Sequence, residues 1–234
     1  MKKLLINILC SFIPNKSKRK AIRMRLNNPI TYKMANFAKS FSKSKHPKIK
    51  YTYGYRCANF VVTIDDKWVF KFPLTNDGHD IAIREQRITD ALRPLSPFKI
   101  PKMEIIDFNG ITVRKYEFVH GIGFHALSRD LQNKHADKIA KQLAKFLYII
   151  GTSDPDEIRD LKQKPKDKPN IMYGWNQNDL WDNFILNPKT FDIVGIIDWE
   201  SACFNNFQNC FTHGIGNLYI KDLLLHEYLK FYSK

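Results

Sequence analysis

The sequence predicts an α+β fold in which an antiparallel sheet comes first and a mainly helical part follows. Short β-rich runs joined by tight turns, such as Asp65-Asp66 and Asn109-Gly110, fill the segment before residue 120. Beyond it, apolar residues recur at helical spacing, most clearly over residues 136–150. With 234 residues, 44% of them hydrophobic, the chain is typical of a globular protein and long enough for two small lobes.

The basic residues are concentrated at the start of the chain. The first 64 residues hold 15 of the 38 Lys and Arg and none of the 23 acids, and the first acid is Asp65. The formal net charge of +15 therefore resides in the first quarter, and the remainder is neutral. This division favours a basic arm, assigned to residues 1–48, on a neutral enzyme over a protein that binds nucleic acid across its whole surface.

Within this arm an apolar run, Leu4–Ile13, precedes a polybasic segment at residues 16–25. The run is shorter than the roughly 20 residues that span a bilayer, and no small-x-small cleavage site follows it. The pattern favours an interfacial helix on an anionic membrane. Two alternatives stay open: a tail that packs on the core through Leu4, Leu5 and Ile8, and phosphate contacts to nucleic acid, which is the least favoured partner.

The four cysteines show no metal-binding spacing. They are Cys10, Cys57, Cys203 and Cys210, without a CxxC pair among them. We therefore expect free thiols in a reducing compartment, the cytoplasm.

Strand patterns alternate with turns from residue 49 to residue 120. We predict strands over Tyr51–Tyr55, Asn59–Ile64, Lys67–Phe72, Pro101–Phe108 and Ile111–Phe118, and a helix over Asp80–Leu92. Lys71 lies inside an apolar strand, where a buried cation needs a partner. Glu85 shares a helical face with Ile81, Ile88 and Leu92, so its side chain is expected to point inward.

Residues that can act as a base or as metal ligands flank two later apolar runs. Asp179 and Asn183 precede Phe184–Leu186, and Asp198 follows the run Ile193–Ile197. These runs are expected to pair as a hairpin around Asn187-Pro188-Lys189, which would bring Asn183 and Asp198 to the same end. One Asp can then deprotonate a hydroxyl, while an Asn carbonyl and a second Asp hold Mg²⁺ on nucleotide phosphates.

These residues resemble the catalytic and metal-binding loops of the protein-kinase-like superfamily in its small-molecule branch. That branch includes aminoglycoside phosphotransferases, choline kinases and lipopolysaccharide core sugar kinases, and its pattern is His-x-Asp-x-x-x-x-Asn followed by Ile-Asp-Trp/Phe-Glu. The chain departs from it at Gln177, where His is usual, and in the Asp179–Asn183 spacing, which is one residue shorter. The family spacing would put Asn178 at the catalytic position. We assign the base to Asp179, because Asn-Asp-Leu-Trp matches the family around it.

The resemblance implies a bilobal kinase-like fold with an N-lobe over 49–120 and a C-lobe over 121–234. It implies that Asp179 is the catalytic base, that Asn183 and Asp198 are Mg²⁺ ligands, and that Lys71, paired with Glu85, holds the phosphates of ATP.

The resemblance also places the adenine at a hinge formed by Tyr116, Glu117 and Val119. His120, beside a glycine, is interpreted as a hinge-turn residue. A GxGxxG loop is absent, because residues 54–59 contain one glycine, and Arg56 is a candidate phosphate contact. The acids that usually brace the loops after the metal-binding segment are missing from residues 201–211.

The expected function is an ATP- and Mg²⁺-dependent kinase. Its acceptor would be a hydroxyl of a small molecule, or of a lipopolysaccharide or capsule sugar met as a glycolipid at the cytoplasmic face of the membrane. The basic arm loosely resembles the starts of bacterial surface-glycan enzymes, which favours the glycan. An amino-alcohol or aminoglycoside acceptor is the runner-up, although a cationic substrate calls for an anionic pocket and the C-lobe shows no marked acidic cluster beyond Asp154, Asp156, Glu157 and Asp160. The alternative is a catalytically impaired kinase-like module that binds nucleotide or a partner.

Overall fold

The computed structural model describes residues 2–15, 19, 22–23, 26–27, 29–54, 58–162, 173–206 and 218–231. The chain divides into two compact units. Unit 1 comprises Met1–Ala82 and Glu104–Phe118, and unit 2 comprises Ile83–Met103 and Val119–Lys234. Each unit buries its own cluster of hydrophobic side chains.

The described part of unit 1 includes helices α1 and α2 and a five-stranded antiparallel sheet in the order β1-β2-β3-β5-β4. The elements are α1 Lys2–Ser11, α2 Ile30–Lys39, β1 Ile49–Tyr53, β2 Asn59–Ile64, β3 Trp68–Pro73, β4 Glu104–Phe108 and β5 Ile111–Glu117. Both predicted turns are confirmed. Asp65 and Asp66 have φ of 56° and 49°, and Asn109 and Gly110 have φ of 52° and 79°. Positive φ at both central residues matches the twist of the flanking strands. The loop at Asn109-Gly110 has two residues, whereas the loop at Asp65-Asp66 also includes Lys67, because Ile64 pairs with Trp68.

One face of this sheet carries the core of unit 1. Phe60, Val62, Phe70 and Phe72 alternate toward it, and Met34 from α2 packs against them. Residues 30–39, which the sequence assigns to the basic arm, therefore contribute a helix to this core. β4 begins at Glu104, later than the predicted Pro101, and the Met103 carbonyl instead accepts a hydrogen bond from Gln86.

Helix α3, Gly78–Leu92, begins in unit 1 and ends in unit 2. It starts two residues before the predicted Asp80. Ile88 and Leu92 in its second half are fully buried in the core of unit 2, and Ile100 joins them there. This packing explains why residues 83–103 belong to unit 2, although the sequence places them in the N-lobe.

Unit 2 is built around a long helix. Its elements after residue 119 are β6 Ile122–Gly123, α4 Arg129–Lys134, α5 Ala136–Thr152, β7 Tyr173–Asn176, β8 Phe184–Leu186, β9 Ile193–Ile196, β10 Cys203–Asn206 and α6 Leu218–Leu229, with short 3₁₀ helices at Phe124–Ala126 and Asp156–Leu161. The predicted apolar face of α5 is confirmed, since Leu143, Phe146 and Leu147 are fully buried. Along the described chain no helix is both long and apolar enough to cross a bilayer.

Two small sheets in unit 2 position the loops of interest. β6, β8 and β9 form one antiparallel sheet, and β7 pairs with β10. A Cβ on Gly174 would lie 2.4 Å from the carbonyl oxygen of Gly151, so β7 can approach the end of α5 only because residue 174 is glycine. The sequence did not predict β6, β7 or β10, because these strands contain Gly or Asn and lack the continuous apolar runs that marked β8 and β9.

Candidate active site

The β8–β9 hairpin places Asn183 and Asp198 at one end, as predicted. Phe184 pairs with Ile196, and the Ile197 amide donates a hydrogen bond of 2.8 Å to the Asn183 carbonyl. Asn183 therefore enters β8 directly opposite the segment that leaves β9 toward Asp198. Asn183 is buried and Asp198 is half-buried at this end of the hairpin.

Asn183 also contacts Asp179 directly. Its Nδ2 donates to the Asp179 carbonyl oxygen at 2.7 Å and to Asp179 Oδ2 at 3.2 Å. The Asn183 amide in turn donates to the Leu180 carbonyl at 3.0 Å. The four-residue spacing thus closes as a tight turn, and it joins the predicted base to a predicted metal ligand despite being one residue shorter than the family pattern.

The carboxyl of Asp179 is held in an unfavourable electrostatic setting, although its residue remains exposed to solvent. Partial burial of the carboxyl, followed by the negative charges of Asp182 and Asp198, raises the pKa of Asp179 above its ordinary value, and the hydrogen bond from Asn183 opposes this effect. A carboxylate with a raised pKa is a stronger base, which suits proton abstraction from a hydroxyl.

Gln177, the residue at the usual His position, is fully buried at the end of β7. Its Oε1 accepts from the Asp179 amide at 2.7 Å. Its Nε2 donates to the carbonyl oxygens of Ile197 at 3.2 Å and of Asp198 at 2.6 Å. One side-chain amide therefore links the segment that carries Asp179 to the segment that carries Asp198.

Helix α3 holds the chain just beyond Asp198. Glu85 is buried, as its predicted inward orientation requires, and its Oε1 accepts from the Trp199 amide at 2.9 Å. The guanidinium of Arg84 donates to the carbonyl oxygens of Glu200 and Ala202. Sequence reasoning missed Arg84, since an arginine on a half-buried helix carries no signal for contacts with a loop more than 110 residues away.

The donor set at this end of the hairpin fits Mg²⁺. Both hydrogen bonds from the Asn183 side chain use Nδ2, so its other polar atom is a carbonyl oxygen, and Asp198 supplies a carboxylate. Mg²⁺ takes oxygen ligands and keeps waters and phosphate oxygens, so it needs few protein ligands. Within the described ranges no group of three or more His, Cys, Asp or Glu is placed to hold a metal through the protein alone. The roles of Asn183 and Asp198 as ligands stay predictions.

In unit 1 the predicted Lys71 is buried on β3, with 3% of its surface exposed. Arg114 lies directly opposite it on β5 and is equally buried, and its Nη2 donates to Asn59 Oδ1. Directly paired residues project from the same face of a sheet, so two cations lie side by side on the face away from the hydrophobic core. Arg114 was missed, because the sequence does not show which strand pairs with β3.

The predicted hinge residues lie where the chain passes from one unit to the other. Tyr116 and Glu117 end β5 in unit 1, and Val119 is the first residue of this part of unit 2. His120 is exposed and precedes Gly121, whose φ is 151° and whose Cβ would lie 2.4 Å from the Leu186 carbonyl oxygen. Arg56 lies outside the described residues, and the roles of the hinge residues stay predictions.

The acidic residues near the candidate site are not those noted in the sequence at residues 154–160. Three of those near residue 157 are paired with cations: Asp154 with Lys162, Asp156 with Arg159 and Asp160 with Arg87. Around Asp179, by contrast, Asp182, Asp198 and Glu200 all lie close enough to raise its pKa. The sequence analysis missed this concentration because the four acids spread over 22 positions of the chain.

The two described cysteines, Cys10 and Cys203, are free thiols, as predicted. Cys57 and Cys210 lie outside the described residues.

Solved structures that are similar to this chain include aminoglycoside and macrolide phosphotransferases. The GDP complex of aminoglycoside 2'-phosphotransferase IIIa matches with a TM-score of 0.66 and 16% identity, over 86% of this chain and 83% of that one. The macrolide 2'-phosphotransferase of Brachybacterium faecium matches with a TM-score of 0.61 and 12% identity, over 85% and 82%. A streptomycin–ATP ternary complex of a 2''-aminoglycoside phosphotransferase matches with a TM-score of 0.59 and 15% identity, over 83% and 82%.

No protein-family model and no curated protein sequence matches the chain. The predicted fold, with an antiparallel-sheet part and a mainly helical part of kinase-like type, is confirmed by these structures.

Proposed function

We propose that this chain is an ATP-dependent phosphotransferase that acts on a hydroxyl group of a small molecule. The observation that carries the proposal is the direct contact between Asn183 and Asp179 at the end of the hairpin that also delivers Asp198. A base and two oxygen ligands are what phosphoryl transfer requires of a protein, since positioning and charge supply most of the rate. The fold shared with aminoglycoside and macrolide phosphotransferases supports it.

Each residue then has a defined task. The Asp179 carboxylate accepts the proton of the acceptor hydroxyl, while the Asn183 amide group fixes its orientation. Asn183 and Asp198 hold Mg²⁺, which when bound neutralises charge on the phosphates. Lys71 binds the phosphates, with Glu85 as its partner, and the strand end at Tyr116 and Glu117 with the following Val119 contacts the adenine through backbone groups.

Phosphate transfer from ATP should be measured on purified protein with Mg²⁺ and a panel of acceptors, with GTP as a second donor. We expect Asp179→Asn to lower kcat by roughly 10³-fold, because general-base catalysis contributes about 10²–10⁴. The control is Asp130→Asn, which changes an exposed carboxylate at the start of α4 and should keep the rate within about twofold. Equal rates for Asp179→Asn and the wild type would contradict the proposal. Nucleotide binding without transfer would favour the non-catalytic module.

For the acceptor we propose a sugar hydroxyl of a surface glycolipid at the cytoplasmic face of the membrane. Helix α1 supports this choice, because Leu5, Ile8, Leu9 and Phe12 form one stripe with exposures of 61%, 51%, 58% and 79%. One flank of the helix is covered, since Ile6 and Cys10 are buried. An apolar stripe in a segment that has bases and no acids is what an anionic membrane surface binds.

Sedimentation with phosphatidylglycerol vesicles tests this part of the proposal. The double variant Leu9→Asp/Phe12→Asp should lose binding, because it places charge on the stripe. Asn7→Asp/Ser11→Asp adds the same charge on the exposed positions away from the stripe and should retain most of the binding. An equal loss of vesicle binding in the two double variants would mean that net charge alone drives the interaction. Binding to neutral vesicles as strong as binding to phosphatidylglycerol vesicles would contradict an anionic membrane as the partner.

A cationic amino sugar is the second candidate acceptor. The carboxylates around Asp179 favour it, since their negative charge attracts ammonium groups. Similar structures were determined with kanamycin, streptomycin and gentamicin. Asp182→Asn should then raise KM for kanamycin while leaving KM for a neutral glycolipid unchanged. No transfer to kanamycin, with transfer to extracted glycolipids, would leave the first candidate.

A further inference from the structure

The Gln177 side chain touches both the segment of the proposed base, Asp179, and the segment of the proposed metal ligand, Asp198. It uses its acceptor on the Asp179 amide and its donor on the carbonyls of Ile197 and Asp198. The carboxamide is planar, so its oxygen and nitrogen keep a constant separation. This planar group thereby helps to fix the separation between the two backbone segments, together with the bond from the Ile197 amide to the Asn183 carbonyl.

The two segments that Gln177 joins both contain backbone in an unfavourable conformation. Asn178 has φ of 67° and Asp198 has φ of 56°, in the left-handed region, which is uncommon for residues with a Cβ although Asn and Asp enter it most readily. Gln177 bonds the amide that directly follows Asn178 and the carbonyl of Asp198 itself. Such conformations persist where surrounding contacts over-determine them. The glutamine therefore bonds the backbone at or next to both left-handed positions.

Gln177 has little freedom to adopt another arrangement. It is fully buried, and its neighbours on β7, Trp175 and Asn176, are equally buried. A buried polar side chain destabilises the protein unless its hydrogen bonds are made. An arrangement of Gln177 that broke any of these three bonds would therefore be unfavourable.

We propose that Gln177 is a positioning residue that couples Asp179 to Asp198, so that the base and the metal ligand keep one relative placement during turnover. The inference rests on the proposed phosphotransferase activity. It assigns a role to the residue that departs from the family pattern: the glutamine supplies a donor and an acceptor at once, and both are used.

The first test compares Gln177→Met with Gln142→Met. Methionine keeps the volume and removes both hydrogen-bonding groups. Gln142 is a matched control, because its Oε1 accepts from the Ile193 amide at 2.8 Å and its Nε2 donates to Asp192, at the opposite end of β9. We expect Gln177→Met to lower kcat by about 10²-fold with KM for ATP within about threefold, since small misplacement of reacting groups costs that much. Gln142→Met should change neither constant by more than about twofold.

A histidine at position 177 distinguishes the loss of hydrogen bonds from the loss of packing. A neutral histidine also offers one donor and one acceptor, so Gln177→His assayed at pH 8.5 should recover kcat to within about tenfold of the wild type. Rates are normalised to nucleotide-binding sites, so that a merely less stable variant does not imitate a slow one. Failure of histidine to recover the rate, or wild-type kcat in Gln177→Met, overturns the inference.

A second readout does not need turnover. The ratio of ADP dissociation constants without and with Mg²⁺ reports how well Asp198 is placed, and we expect it to shrink in Gln177→Met and to stay unchanged in Gln142→Met. If the wild type binds ADP but transfers no phosphate, the proposed function fails and this ratio alone decides the coupling. If the wild type does not bind ADP at all, both are overturned.

Discussion

The two units hold their candidate functional side chains in different ways. In unit 1, Lys71 and Arg114 project from the middle of regular strands, where ladder pairing sets their register and their common face. In unit 2, Asp179, Asn183 and Asp198 lie in loops at the ends of strands of three or four residues. Those loops are held by bonds from side chains to backbone groups, such as those made by Gln177 and Arg84.

The difference shows how sensitive each placement is to a single substitution. Register in a sheet is specified by many backbone bonds, so one side chain can change without moving its neighbours. A loop held by a few side chains depends on each of them, and removal of one leaves buried polar groups without a partner. We therefore expect substitutions in unit 1 to alter ligand affinity locally, and substitutions at the loop contacts of unit 2 to alter geometry.

The largest effect is expected at Asp198. Asp198→Asn keeps the size of the side chain and removes the negative charge proposed to hold Mg²⁺. We expect kcat to fall by roughly 10³-fold, because electrostatic stabilisation is the main contribution to phosphoryl transfer. Titration of the rate with Mg²⁺ should show a higher half-saturating concentration. An unchanged Mg²⁺ dependence would remove Asp198 from the metal site and weaken the contrast between the units.

Lys71 tests the strand side of the comparison. Lys71→Met replaces a buried cation with an apolar side chain of similar volume and removes the positive charge from the proposed pair with Glu85. We expect kcat/KM for ATP to fall by about 10²-fold and the melting temperature to fall as well, because the loss of one member of a buried pair is destabilising. Lys67→Met is the control, because Lys67 is exposed just before β3. A large loss of stability in Lys71→Met with normal kinetics would assign Lys71 to folding alone.

Arg84 tests the loop side. Its guanidinium donates to the carbonyls of Glu200 and Ala202, two to four residues beyond Asp198. We expect Arg84→Met to lower kcat by roughly tenfold through displacement of this loop. Arg87→Met removes a similar contact on the same helix, the ion pair with Asp160, and should be nearly silent. Equal effects of the two variants would show that α3 is simply destabilised.

The smallest expected effect is the change in the free energy of unfolding when Asp179 is replaced. Its pKa is raised in the folded state, mainly by partial burial and then by Asp182, so the folded state binds the proton more tightly than the unfolded state does. Folding free energy is therefore lost as pH rises through the folded-state pKa. We expect Asp179→Asn to be more stable than the wild type at pH 7.5, by less than about 1 kcal/mol because solvent screens an exposed carboxyl.

Urea unfolding at a series of pH values measures this difference, which should shrink as the pH falls. A constant difference would mean that the charge of Asp179 is not its source. Loss of activity together with gain of stability in one variant would sharpen the distinction between a residue kept for chemistry and one kept for the fold.

The sequence by itself determined the elements with long or strongly marked patterns. The hairpin turns at Asp65-Asp66 and Asn109-Gly110, the helix around Leu143 and the β8–β9 hairpin follow from local backbone preferences and apolar period. The orientation of Glu85 followed too, because helical spacing alone determines which residues share a face.

Only the tertiary structure decided which distant groups meet. Arg114 lies opposite Lys71, Arg84 bonds to the loop after Asp198, and Gln177 bonds to Ile197 and Asp198. These contacts join residues that are 20 to 118 positions apart in the sequence. Each depends on how whole elements pack, and a side chain carries no local signal of the partner that packing will bring to it. The residue that looked like a defect in the family pattern, Gln177, is for this reason interpretable only once its neighbours are known.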